Sequence, residues 1–461
     1  MDRDKRMFKT TIIYFIGNFG SKLLSFFLLP IYTAWLDPAA FGKVDLILNI
    51  VPLIGPIFTL QTTESIFRFL FDCKNDEEIK KNITSAFVIY ILGFLSFLVF
   101  FIPYCFFTKF EYAILFALYF LFLYLGIFVQ QVMRGFHQNT SYAISGIIST
   151  LIQGVTNIAL IQLIAENSLL IAPILSSICI FIFGFFKTKL FRYIDLNCLE
   201  INIIKKQLQY AIPLVPNQIC WWFNGVVGKY IVNFFVGGNA NGLLAVATRF
   251  PNLVSTIMQI YFLAWTENSI YEYDSTDRDE YFSNNLNGLI SFLLFCMSGL
   301  LLVVKIYFDF TIDKAYSEAL NLIPILFIAM FFNSIATFLG TIYTASKKTK
   351  DAFFTTIYAA ITNIICSFIF ISKVGIYGYA IANLISYIVF AIIRYKSVNR
   401  ICKISIKFPS LTAILCIFIS LIGFFYCNYL CNIGLIFIIG IIVLLYYKDI
   451  AKKFLGKIIK K

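Results

Sequence analysis

Residues 43–72 read KVDLILNIVPLIGPIFTLQTTESIFRFLFD. The stretch is long, apolar and continuous. A half-buried strand alternates every second residue, whereas about twenty consecutive apolar residues are what an α-helix needs to cross a bilayer. The stretch therefore reads as a transmembrane helix. It carries two prolines, Pro52 and Pro56, and near its end an acid and a base four residues apart, Glu64 and Arg68.

The rest of the chain has the same character. Of its 461 residues 60% are hydrophobic, 53 are Phe, and only 13% are charged. Soluble domains run at about a quarter charged, so a soluble fold has no way to cover this much apolar surface. Membrane barrels alternate apolar and polar residues in short segments, and these runs do not. The fold class expected is an all-α integral membrane protein.

We count fourteen transmembrane spans, at roughly 10–34, 43–70, 83–107, 111–133, 141–164, 168–187, 208–235, 242–266, 285–306, 318–345, 352–371, 376–393, 408–427 and 432–447. The net charge of +13 sits between these runs and at the tail, which makes it a topology signal rather than a nucleic-acid footprint. With both ends in the cytoplasm, the inner loops and tails hold 28 of the 37 Lys and Arg, the outer loops hold four, and five lie within spans. That is the bias the positive-inside rule requires. The charged start MDRDKRMFKT leads into a run too long for a cleavable signal and lacking a small-residue cleavage site, so the first span doubles as the targeting signal.

Two repeats suggest internal duplication. Thr156-Asn157-Ile158 recurs at Thr362-Asn363-Ile364, an offset of 206, and Gly42 in LDPAAFGKVDLI recurs as Gly242 in VGGNANGLLAV, an offset of 200. Both offsets pair odd spans with odd spans, which describes a parallel repeat. The division expected is a six-helix lobe at 1–206, a second at 207–407, and two extra helices with a basic cytoplasmic tail at 408–461. This is one of the common transporter plans, with the substrate path between the halves.

Charges within spans are costly and tend to face protein or a water-filled cavity. They are Lys22, Glu64, Arg68, Lys229 and Arg249, with Glu267 and Lys305 at span edges. At 1.5 Å per residue, Arg68 lies roughly 6 Å from the cytoplasmic end and Glu64 about 10 Å, while Lys22 is near the centre of its span. Gln61, Glu64 and Arg68 share one face of a continuous helix. Either Glu64 and Arg68 form an ion pair that closes a gap between spans, or the pair faces a cavity. The cations Lys22, Lys229 and Arg249 outnumber the deep acids, and such an excess calls for an anion. A phosphate, pyrophosphate or acidic sugar would serve, and the planar fork of Arg suits phosphate.

Other features weigh less. Trp221 and Trp222 could stack on sugar rings or simply pack. His137 is the one histidine, which excludes a multi-histidine metal site, and the eleven cysteines are scattered, with Cys427 and Cys431 able to meet on one helix face. There is no GxxxxGK[ST] run, catalytic triad or zinc motif, so neither a cofactor nor an enzymatic activity is expected.

Residues 14–69, with SKLLSFFLLPIYT, the Asp-Pro turn before FGKVDL, and ESIFRF, resemble the bacterial polysaccharide-repeat (Wzx-type) flippases of the multidrug/oligosaccharidyl-lipid/polysaccharide (MOP) exporter superfamily. VGIYGYAIANLISY at 374–387 is similar to that family's twelfth span. The resemblance implies two six-helix lobes around a central cationic cavity. It implies alternating access, and movement of undecaprenyl-pyrophosphate-linked oligosaccharide across the bacterial plasma membrane for O antigen or capsule. By the same resemblance Lys22, Arg68, Lys229 and Arg249 would face the anionic head group, and Glu64 would be the candidate for coupling to a proton or sodium gradient. Expected partners are the lipid-linked oligosaccharide, membrane lipids and other polysaccharide assembly proteins, with no nucleic acid. The alternatives are a cation-coupled multidrug exporter of the same superfamily and a non-transport membrane component of polysaccharide assembly.

Overall fold

The structure is a computed structural model, and it describes residues 26–346, 348–446 and 448. Among these the chain is helical, with no strand. The helices are α1 (Leu29–Trp35), α2 (Pro38–Thr59), α3 (Thr62–Leu70), α4 (Asp76–Thr108), α5 (Ala113–Gly135), α6 (Asn139–Ile164), α7 (Asn167–Lys187), α8 (Ile201–Ala211), α9 (Leu214–Gly225), α10 (Val227–Phe235), α11 (Gly238–Ala247), α12 (Arg249–Tyr271), α13 (Arg278–Thr311), α14 (Ile323–Ala345), α15 (Thr349–Val374), α16 (Ile376–Val398), α17 (Leu411–Tyr426) and α18 (Tyr429–Tyr446). Ten helices among the described residues are long and apolar enough to cross a membrane, and α17 is a shorter apolar helix. The all-α membrane fold is thus the one expected. Most of the first expected span, and Lys22 with it, lies outside the described residues.

The chain forms two compact units, which divide between Ala245 and Val246. In the first, a cluster of Ile66, Leu70, Ile83, Phe128, Val132 and Leu190 packs α3 between α4 and α5. Here α3 buries its apolar side while Glu64 and Arg68 stay exposed. In the second, α14, α15 and α16 pack closely together, and α13 is joined by α17 and α18 through Phe295, Leu302, Ala413, Cys416 and Ile439. Each unit holds a similar helix pair. A 26-residue helix (α6, α15) ends on a residue with positive φ, Ala165 or Gly375, and the next helix (α7, α16) packs back against it. The Asn of each Thr-Asn-Ile repeat, Asn157 and Asn363, is buried in its pair.

Helix boundaries follow local chemistry. Asp37 caps α2, its carboxylate accepting from Ala40 N at 2.7 Å, and Pro38 occupies the first helical position, where no N–H is needed. Asn75 caps α4 by accepting from Glu78 N, and three acids occupy its first turn, where the helix dipole favours them. The division between the closely spaced third and fourth spans falls at Lys109, which takes a left-handed conformation after α4.

The second span is not one helix to residue 70. Leu60 and Gln61 both adopt left-handed conformations, with φ of 50° and 55°, and end α2 before α3 begins. Gln61 therefore precedes α3 and does not share a face with Glu64 and Arg68. Pro52 and Pro56 each remove an N–H from the last turns of α2. The break follows four residues later, where the hydroxyls of Thr59 and Thr62 donate to the carbonyls of Gly55 and Thr59. Gly93 of α4 lies so close to the Phe58 carbonyl that a Cβ would collide with backbone, so the break sits against a neighbouring helix. Other expected spans are divided too. Residues 208–235 form α8, α9 and α10, with Pro213 just before α9. Cys427 and Cys431 are also separated, since Cys427 ends α17 and Cys431 belongs to α18, and all eleven cysteines are free.

Candidate functional site

The nine residues of α3 set the first group of polar side chains. With Ile66 and Leu70 fixed in the core, Glu64 and Arg68 are turned outward. They do not pair with each other. Arg68 Nη1 donates to Asp72 Oδ2 at 2.7 Å, an exposed pair one turn further on. Glu64 Oε1 instead accepts from Gln131 Nε2 of α5 at 3.1 Å. Gln131 is buried, and its own Oε1 accepts from Arg134 Nη1 at 2.9 Å. The guanidinium of Arg134 lies 4.1 Å from the centre of the Phe67 ring. An amide thus stands between carboxylate and guanidinium, and each keeps a polar partner without direct charge contact. The i, i+4 spacing of Glu64 and Arg68 hid this, because Asp72 lay just past the helix end and Gln131 in a distant span.

The second group, also in the first unit, joins α2 to α9, α10 and α11. Lys229 of α10 is buried and donates to Asp45 Oδ2 of α2 at 2.7 Å, with side-chain exposures of 9% and 11%. A bare excess cation was expected here, and the structure supplies its acid. Asp45 escaped notice because it stands only two residues into the second span as counted. Around it, Trp222 Nε1 donates to the Asn49 carbonyl and Tyr230 Oη to the Leu46 carbonyl, both at 2.7 Å, and Asn241 Nδ2 donates to the Gly42 carbonyl at 2.8 Å. Trp222 is 7% exposed and packs on Tyr230, while the Trp221 ring is about a third exposed. Of the two candidates for sugar stacking, Trp221 is the more exposed.

In the second unit Arg249 opens α12, is half-buried, and makes no ion pair among the described residues. Lys305 pairs with Asp309 one turn on. Sequence reasoning missed Arg394, which it placed in a cytoplasmic loop. It lies on α16, only 4% exposed, and donates to the Ala336 carbonyl at 2.7 Å and to the hydroxyls of Thr355 and Thr356 at 3.3 Å. Its guanidinium sits 4.1 Å from the Phe390 ring centre. The signal available was Thr355-Thr356 and Gly340, small or hydroxylated residues that leave room for a large polar group.

Charged side chains thus sit on short helices that broken spans leave within the bundle. The fold matches a lipid II flippase, MurJ, in an inward closed conformation, with a TM-score of 0.74 at 17% identity, covering 95% of this chain and 100% of that one. It also matches an inward-facing multidrug resistance MATE transporter of the MOP superfamily, with a TM-score of 0.64 at 13% identity, covering 82% of this chain and 95% of that one. At such identities these likenesses speak for the fold alone. The family comes from sequence: the profile of the polysaccharide biosynthesis proteins matches residues 7–267, and the chain belongs to that family. No curated protein matches the chain closely enough to add to this.

Proposed function

We propose that the protein is a flippase that carries an undecaprenyl-pyrophosphate-linked oligosaccharide across the bacterial plasma membrane for O antigen or capsule synthesis, by alternating access. The family membership supports a role in polysaccharide assembly. The single observation that carries the chemistry is α3, whose apolar side is locked in the core while Arg68 remains exposed. In this reading Lys22, Arg68 and Arg249 meet the pyrophosphate and any acidic sugar, each in its own part of the chain. Trp221 offers a ring to the glycan, and the prenyl tail stays in lipid. Lys229 joins them only after leaving Asp45. Glu64, held by a neutral amide, is the site proposed for coupling to protons or sodium.

The test is surface polysaccharide in cells carrying Lys22→Gln, Arg68→Gln or Arg249→Gln, with membrane levels of each variant checked by immunoblot. Loss of polysaccharide at unchanged protein level is the expected result, and normal polysaccharide in all three would sink the reading. A deletion strain that keeps its polysaccharide and gains drug sensitivity would point to the multidrug exporters instead.

A further inference from the structure

We propose that Asp45 is an internal stand-in for the substrate: it occupies Lys229 and keeps α2 zipped to α9–α11 until an anionic head group displaces it. This rests on the flippase reading above. The four contacts along α2 fall at positions 42, 45, 46 and 49, the i, i+3, i+4, i+7 spacing of one helix face. Three of them use only the spare lone pair of a helix carbonyl, so their α2 side survives intact when the seam parts. The Asp45–Lys229 contact is different, because it alone joins two full charges away from water.

The backbone packs as tightly as the side chains bond. A Cβ on Gly42 would meet Gly242 N at 2.5 Å and Gly238 O at 2.6 Å, and one on Gly242 would collide with the Pro38 carbonyl. The seam is therefore a built surface, and both glycines of the 200-residue repeat lie in it. By the expected topology it occupies the outer half of the membrane, with α2 from the first six-span half and α9–α11 from the second. Both sides of the seam belong to the first compact unit, so opening it parts helices within that unit.

A buried ion pair parts readily only when something replaces the lost partner, since a lone buried charge is strongly unfavourable. A pyrophosphate is such a replacement: it brings more charge than a carboxylate and satisfies the ammonium in its place, while Asp45 passes to water as the seam parts. Asp45 then sets a threshold, because a neutral or weakly charged lipid cannot displace it. Opening is tied to arrival of the right head group, and Asp45 acts as a positioning and specificity residue through Lys229.

The experiment uses full-length protein in nanodiscs with undecaprenyl pyrophosphate as probe, reading affinity and amide exchange of segments 38–49 and 222–241. In the wild type the probe should raise exchange in both segments. Asp45→Asn should show raised exchange without probe and bind it roughly tenfold more tightly, the worth of one charge-assisted contact no longer contested. Lys229→Met should also loosen the seam but bind more weakly. The proposal is overturned if Asp45→Asn binds no more tightly than wild type, or if bound wild type keeps its seam exchange unchanged, and either result leaves the flippase reading standing. If the wild type does not bind the probe, that reading falls and the proposal with it. Were Asp45→Asn to unfold, exchange would rise in every helix, and the exchanged pair Asp45→Lys with Lys229→Asp would decide. A folded seam that no longer responds to probe supports the proposal, and a wild-type response overturns it.

Discussion

Arg394 sets two large effects against each other, and the substitution that separates them is Arg394→Met compared with Arg394→Lys. The guanidinium is held by one short bond to the Ala336 carbonyl, two longer ones to Thr355 and Thr356, and the Phe390 face. A hydrogen bond to a charged group contributes about 1.5–3 kcal/mol and a weak one less, and a desolvated cation–π contact about 2 kcal/mol. Together these come to about 5 kcal/mol. Against them stands the several kcal/mol it costs to take one ion out of water, and no acid pairs with Arg394 among the described residues. The two sums nearly cancel. Met fills the same slot and discards both, so Arg394→Met should lie within about 1 kcal/mol of wild type, the usual cost of a volume-conserving swap. Lys retains the desolvation cost but cannot lie flat on Phe390 or fork between α14 and α15, and should lose about 2–3 kcal/mol. The assay is thermal unfolding of the purified variants in one detergent. The expected order is wild type and Met together, with Lys clearly lower. A lysine variant as stable as the methionine one would refute the reasoning, because charge alone would then be enough.

Two further outcomes follow from contacts already described. Gly93→Val should separate α4 from the Phe58 carbonyl and cost about 1–3 kcal/mol, the usual cost of overpacking, visible as a lower unfolding temperature, and an unchanged melt would show that the two helices are free to slide. Cys402, in the loop after α16, is buried and its thiol is pushed up to about 11 by desolvation. Since only the thiolate reacts, its alkylation should be slow at neutral pH and accelerate as pH rises toward that value, and mass spectrometry of the labelled peptide reads the rate.

The sequence carried the fold class and most of the helix layout because hydropathy in lipid is an all-or-none requirement: a span either satisfies its backbone internally or is absent. It carried the site less well, since partners there are long-range. Lys229 and Asp45 are 184 residues apart, and nothing local marks their meeting. Glu64 and Arg68 stand at the spacing of an ion pair, yet Gln131 and Asp72 are their partners. The break at Leu60–Gln61 was hidden for another reason. Neither residue is a glycine, so the left-handed turn shows no compositional mark, and only the prolines upstream hinted that the helix would end. Arg394 was placed outside because an arginine near a span end ordinarily reaches water, and here α14 and α15 close over it.

The two left-handed residues between α2 and α3 have a mechanical meaning. A continuous rod would transmit any tilt of α2 directly to Glu64 and Arg68. Leu60 and Gln61 are instead a joint of two backbone pivots, with α3 clamped below it by Ile66 and Leu70. A tilt of α2, once its contacts part, would bend at that joint and leave the charged collar on its bearing, so one span would serve as both lever and anchor.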